Sequence, residues 1–124
     1  MDWNLARINI LDYMTVGSYI NSKHSTYRKI IQVPPYKCNT YDYKGAEGFK
    51  VQIGYNTSIE IPIIMLKLLY EEGHKNNQIY DANIFIKYFG DQYLNHGCHV
   101  HVVGQIFLKS NIAEQHGSRA YKLL

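Results

Sequence analysis

The spacing of apolar residues changes at Pro62, and that change limits the folds open to the chain. Before it, "FKVQIGY" alternates Phe49, Val51 and Ile53 with Lys50, Gln52 and Gly54, and "SIEIP" alternates Ile59 and Ile61 around Glu60, with "YNTS" between them. Alternation on both sides of a polar turn predicts an antiparallel hairpin with one buried face. Beyond it, "IPIIMLKLLYEEG" sets Ile63, Leu66, Lys67 and Tyr70 at helical intervals, with Pro62 suited to a first helical turn and Gly73 to a C-terminal stop. A chain of 124 residues that is 46% hydrophobic is long enough to bury one core around such a hairpin and helix.

The remaining segments extend the pattern. Trp3, Ala6, Ile10 and Tyr13 follow helical spacing ahead of Gly17, which predicts a short amphipathic helix. Residues 21–48 are polar and punctuated by "VPPY" and "YKGAEG", so they read as a long connection with one strand about "KIIQV". In "IYDANIFIKYFGDQYLN", Ile84, Phe85, Tyr88 and Phe89 recur at helical spacing, Asp81 is placed to cap the helix start, and Gly90 and Gly97 bracket a turn. The fold class expected is α+β in a single domain, 1–124. Residues 1–60 form a basic, Tyr-rich region with the β-hairpin and a small antiparallel sheet, and residues 61–124 form a three-helix C-terminal half.

The stretch "HGCHVHVVGQIF", residues 96–107, is the ambiguous one. Val100, Val102 and Val103 favour a strand. A helix over 98–110 instead sends Val100, Val103, Ile106, Phe107 and Ser110 to one buried face and leaves Cys98, His101, Val102, Gln105 and Lys109 opposite, with His99 at the inner edge. The helix is favoured because its spacing fits and because the ending "SNIAEQHGSRAYKLL" reads as a helix end, a Gly-containing turn and a short terminal strand.

Charge adds a direction. Residues 21–50 carry Lys23, Arg28, Lys29, Lys37, Lys44 and Lys50 against Asp42 and Glu47, which places +4 in a chain whose net charge is +3. A basic segment interleaved with several of the twelve tyrosines suits a polyanionic partner. The longest apolar run, around Ile61 to Met65, is closed by Lys67 and cannot span a bilayer. The start "MDWNLARINILDY" lacks the order of an export signal, so the expectation is a cytoplasmic protein without a membrane partner, with Cys38 and Cys98 as free thiols.

The order helix, helix, turn, third helix and hairpin-like ending over about residues 60–124 resembles a winged helix-turn-helix. In "VVGQIFLKSNIAEQHGSRAYKLL" the first part looks like a recognition helix and the last like a wing whose final strand ends in Tyr121 and Leu123. The resemblance implies a non-enzymatic protein that binds double-stranded DNA. His101, Gln105 and Lys109 of the helix at about 98–110 would meet base edges and phosphates, and Ser118, Arg119 and Lys122 of the wing at about 116–123 the backbone. Lys23, Arg28 and Lys29 would add phosphate contacts, with no cofactor and no metal.

Two other function classes stay open. The Tyr-rich surface suits a protein partner, and a homodimer is compatible with either binding role. If the same residues 98–110 form a strand instead, "HVHVVG" resembles the end of the histidine-triad signature of nucleotide hydrolases and transferases. His99 would then be the nucleophile and His101 the last triad member, although Gly97 occupies the first position. A zinc site would recruit His96, Cys98, His99 or His101 together with the distant Cys38.

Overall fold

A computed structural model describes residues 1–21 and 27–124. The hairpin before Pro62 forms as β2 (Gly48–Gln52) and β3 (Ser58–Pro62), with Phe49 opposite Ile61 and Val51 opposite Ile59. A short β1 (Ile30–Gln32) pairs antiparallel with β2, giving a three-stranded sheet in the order β1-β2-β3. Ahead of it, α1 (Trp3–Tyr13) starts where the Leu5 N–H donates to the Asp2 carboxylate at 3.0 Å and buries Ala6 and Ile10. The switch of period at Pro62 is a switch of element: Pro62 is the N-cap of α2 (Ile63–Lys75), which buries Met65, Leu66, Leu69 and Tyr70.

The C-terminal half adds β4 (Ile79–Asp81), α3 (Ala82–Asn95), α4 (His99–Lys109), β5 (Ala113–His116) and β6 (Ala120–Leu123). The three strands form a second antiparallel sheet in the order β4-β6-β5. Asp81 caps α3 as its spacing predicts, accepting from the Ile84 N–H at 3.2 Å. A single apolar cluster runs from Ala6 and Ile10 through both sheets to Tyr121 and Leu123, with Phe85, Val103, Ile106 and Phe107 at its centre. The chain is therefore a small α+β fold.

Several expectations need correction. Gly73 does not stop α2; it lies inside it, where a Cβ would sit 2.6 Å from Leu123 Cδ1, so its role is to let β6 close on the helix. The helix ends instead at Asn76, followed by Asn77 and Gln78 with φ of 52° and 66°. Gly90 likewise lies within α3, just past Phe89, whose non-helical backbone (φ −136°, ψ 46°) breaks the helix there. β4 was hidden in a segment read as wholly helical. The terminal hairpin begins at Ala113, earlier than the wing expected from about 116.

Candidate functional site

Residues 99–109 are helical because burial on several sides outweighs the strand preference of three valines. Val100, Val103, Ile106, Phe107 and Ser110 are buried as their spacing predicts, and Val102 and Gly104 are buried too. What α4 leaves part-exposed is a narrow stripe containing His101, Gln105, Leu108 and Lys109.

That stripe is the floor of a cleft of about 960 Å³. One wall is the β5–β6 hairpin, contributing Gln115, Gly117, Ser118 and Arg119. Gly117 turns the hairpin at φ +71°, and the Gln115 side-chain amide donates to the carbonyls of Gly117 (2.9 Å) and Ala120 (3.2 Å), which braces the turn. The other wall is Tyr19, Ile20 and Asn21. It is tied to the strand side of the molecule: Ile20 N–H donates to the Arg28 carbonyl at 3.0 Å, and Ile30 N–H to the Ser18 carbonyl at 2.8 Å. Tyr121 closes the floor, its hydroxyl 2.9 Å from His101 Nδ1.

The cleft is electropositive. No lining residue is acidic, and Lys109 and Arg119 both belong to it. Burial, then the charges of Arg119 and Arg28, hold His101 below the usual histidine range, so at neutral pH it is an uncharged imidazole near two guanidinium groups. The ion pairs among the described residues, Lys37–Glu47 and Lys75–Glu72, use none of these cations. Among the lining residues, Gln105 has a buried side-chain oxygen, Oε1, that lacks a hydrogen-bond partner. A buried acceptor is costly to leave unpaired, so a turn of the Gln105 side chain that brought it to a ligand would recover part of that cost.

Of the residues singled out from sequence, His101, Gln105, Lys109, Ser118 and Arg119 line this one cleft. Arg28 is half-buried and close enough to shift His101, while Lys29 is exposed at an isolated bridge with Tyr19. Lys122 alternates with the buried Tyr121 on β6, so it projects from the opposite face of the sheet, away from the cleft. Lys23 lies outside the described residues. Sequence reasoning missed Tyr19, Ile20, Asn21 and Gln115 as lining residues, and only the first of these carried a signal, as part of the Tyr-rich segment.

The histidine-triad geometry is absent, because it needs His99 and His101 on one face of a strand. On α4 they diverge: His101 faces the cleft, while His99 is buried, stacks on Phe85 (5.6 Å, 28°) and donates from Nε2 to the Glu60 carbonyl at 3.3 Å. Burial pushes the His99 pKa down to about 4, with His96 adding to the effect. The residues of the zinc reading are not brought together either: Cys38 is buried beside Gly48 of β2, and among the described residues no group of three His, Cys, Asp or Glu is placed to hold a metal ion.

A second cavity of about 990 Å³ lies on the other side of α4, lined by Asp42, Glu60, Asp91, His96 and His99 among others. Its central carboxylate is fully engaged. Glu60 accepts from the Tyr36 hydroxyl, the Asn39 N–H (2.9 Å), the Thr40 N–H (2.8 Å) and the Thr40 hydroxyl (2.5 Å). Glu60 thereby fastens the loop 36–40 to β3. No helix among the described residues is long and apolar enough to cross a membrane. No protein-family model, curated protein or solved structure matches the chain.

Proposed function

We propose that this protein is a small DNA-binding module of winged-helix type that contacts nucleic acid through the cleft between α4 and the β5–β6 hairpin. The observation that supports the reading is convergence: the part-exposed stripe of α4 and the tip of the β5–β6 hairpin line one acid-free cleft holding Lys109 and Arg119. The order of α2, α3, α4 and the terminal hairpin supports it as well. Cations suited to phosphates and a glutamine amide suited to base edges are the two classes of contact that such binding needs.

The test is a fluorescence-anisotropy titration against random DNA at low and moderate salt. Affinity is expected to fall steeply with salt, since displaced counterions supply much of the binding free energy. Lys109→Ala should weaken binding to all sequences and reduce the salt slope by about 1, whereas Gln105→Ala should relax sequence preference and leave the slope as it is. Failure to bind at low salt would sink the reading.

A protein partner is the second reading, and one observation favours it. Leu5 and Ile8, three residues apart on α1 and so on one face, are each more than half exposed, an apolar strip of the sort that marks contact surfaces. The tyrosines themselves do not form one surface, because Tyr36 is engaged with Glu60 and Tyr43 packs against Phe89. Binding through the apolar strip would be insensitive to salt, which separates the two readings.

A further inference from the structure

We infer that the cleft seats an unpaired nucleotide rather than the edge of an intact duplex, an inference that rests on the nucleic-acid reading above. A helix that reads a duplex must stand clear of its neighbours to enter a major groove about 12 Å wide. α4 does not: His101, Gln105 and Lys109 are each only part-exposed, at the bottom of a cleft walled by residues 19–21 on one side and the β5–β6 hairpin on the other. The edges of a groove would have to straddle both walls before Gln105 met a base. A single extruded or single-stranded nucleotide has no such obstacle, and 960 Å³ falls within the range of sites that enclose small ligands.

The chemistry of the lining matches the parts of a nucleotide. Lys109 and Arg119 supply charge for a phosphate. Tyr19, at 38% exposure, presents a ring at the rim on which a base can stack. Gln105 lines the floor, and its amide, once turned so that the buried and unpartnered Oε1 faces the cleft, can both accept from and donate to a base edge that a duplex keeps paired. A paired base offers that edge to its complement; an unpaired one offers it to Gln105.

Three labelled probes of matched sequence decide the matter by anisotropy at one salt concentration: a blunt duplex, the same duplex with a short single-stranded overhang, and the single strand. The overhang and single-strand probes are expected to bind about tenfold tighter than the blunt duplex, the scale of one base–aromatic stack. Gln105→Leu and Tyr19→Ala should each shrink that ratio, and the exposed position of Tyr19 keeps the second variant informative if the first is poorly folded. Equal or tighter binding of the blunt duplex, or a ratio unmoved by both substitutions, would overturn the inference while leaving DNA binding intact. No binding of any probe at low salt would overturn both.

Discussion

Gly104→Ala is expected to destabilise the protein by about 2 kcal/mol, although in an exposed helix the same change would stabilise by roughly 1 kcal/mol. A Cβ at position 104 would lie 2.2 Å from Cε2 and Cζ of Tyr121, well inside contact distance. The ring has little room to retreat. Tyr121 is buried, stands on the central strand of its sheet, packs near Tyr80 at 5.9 Å and holds His101 through its hydroxyl. Overpacking of this kind forces either an unfavourable rotamer or a shift of β6 away from α4. Such a shift would widen the floor of the cleft and separate His101 from Tyr121, so binding should weaken together with stability. Thermal melts should show a fall on the order of 10 °C. Combining Gly104→Ala with Tyr121→Leu should recover part of the loss, because the two positions are in contact and their effects should not add. A single Gly104→Ala variant as stable as wild type would show that the sheet is not held against α4 by this glycine.

Gly104 also marks where the sequence stops being legible. The buried face Val100, Val103, Ile106, Phe107 and Ser110 follows from helical spacing, which is a property of one segment. The burial of Gly104 follows from β6 packing on a second face, and no spacing within 98–110 records a partner from residue 121. The same reason explains Gly73. A glycine inside a helical pattern looks like a stop unless the neighbour that needs its missing Cβ is known, and for Gly73 that neighbour is Leu123, fifty residues on. β4 was concealed because three residues are too few to show a period, and its pairing with β6 is what makes them a strand. The stripe of His101, Gln105 and Lys109 was readable because i, i+4 and i+8 share a face. The opposing wall at Tyr19–Asn21 was not, since it is brought there by hydrogen bonds to residues 28 and 30. Lys122 belongs to the hairpin expected as a wing, but its alternation with the buried Tyr121 turns it to the other face of the sheet.

The other large effect is expected at Glu60, where replacement by Gln should cost about 3 kcal/mol and remove a specific part of the pH dependence of stability. Burial alone would raise the Glu60 pKa, but hydrogen bonds from the Thr40 hydroxyl, the Tyr36 hydroxyl and the N–H groups of Asn39 and Thr40 outweigh it and hold the carboxyl below its ordinary 4.5. A glutamine keeps the shape but turns one acceptor into a donor that faces donors, so at least one of these bonds becomes a repulsion. Because the folded-state pKa is depressed, the stabilisation is fully present above the unfolded value and is lost as pH falls through the lower folded value. Tyr36 acts in the opposite sense. Its bond to Glu60, with burial and the neighbouring charge, pushes its pKa up to about 12, so that contribution is present below the ordinary value of 10.0 and is lost as pH rises through the folded one. One hydrogen bond therefore shapes both limbs of the stability profile. Denaturant unfolding of wild type across the acid range should show stability declining below pH 4.5, and Glu60→Gln should flatten that decline. Tyr36→Phe should flatten the alkaline limb and shift part of the acid one. The cleft between α4 and the β5–β6 hairpin is lined by none of these residues, so the DNA binding proposed for it should survive Tyr36→Phe well below the melting temperature. An acid limb identical in wild type and Glu60→Gln would show that the loop at residues 36–40 is held by something other than this carboxylate.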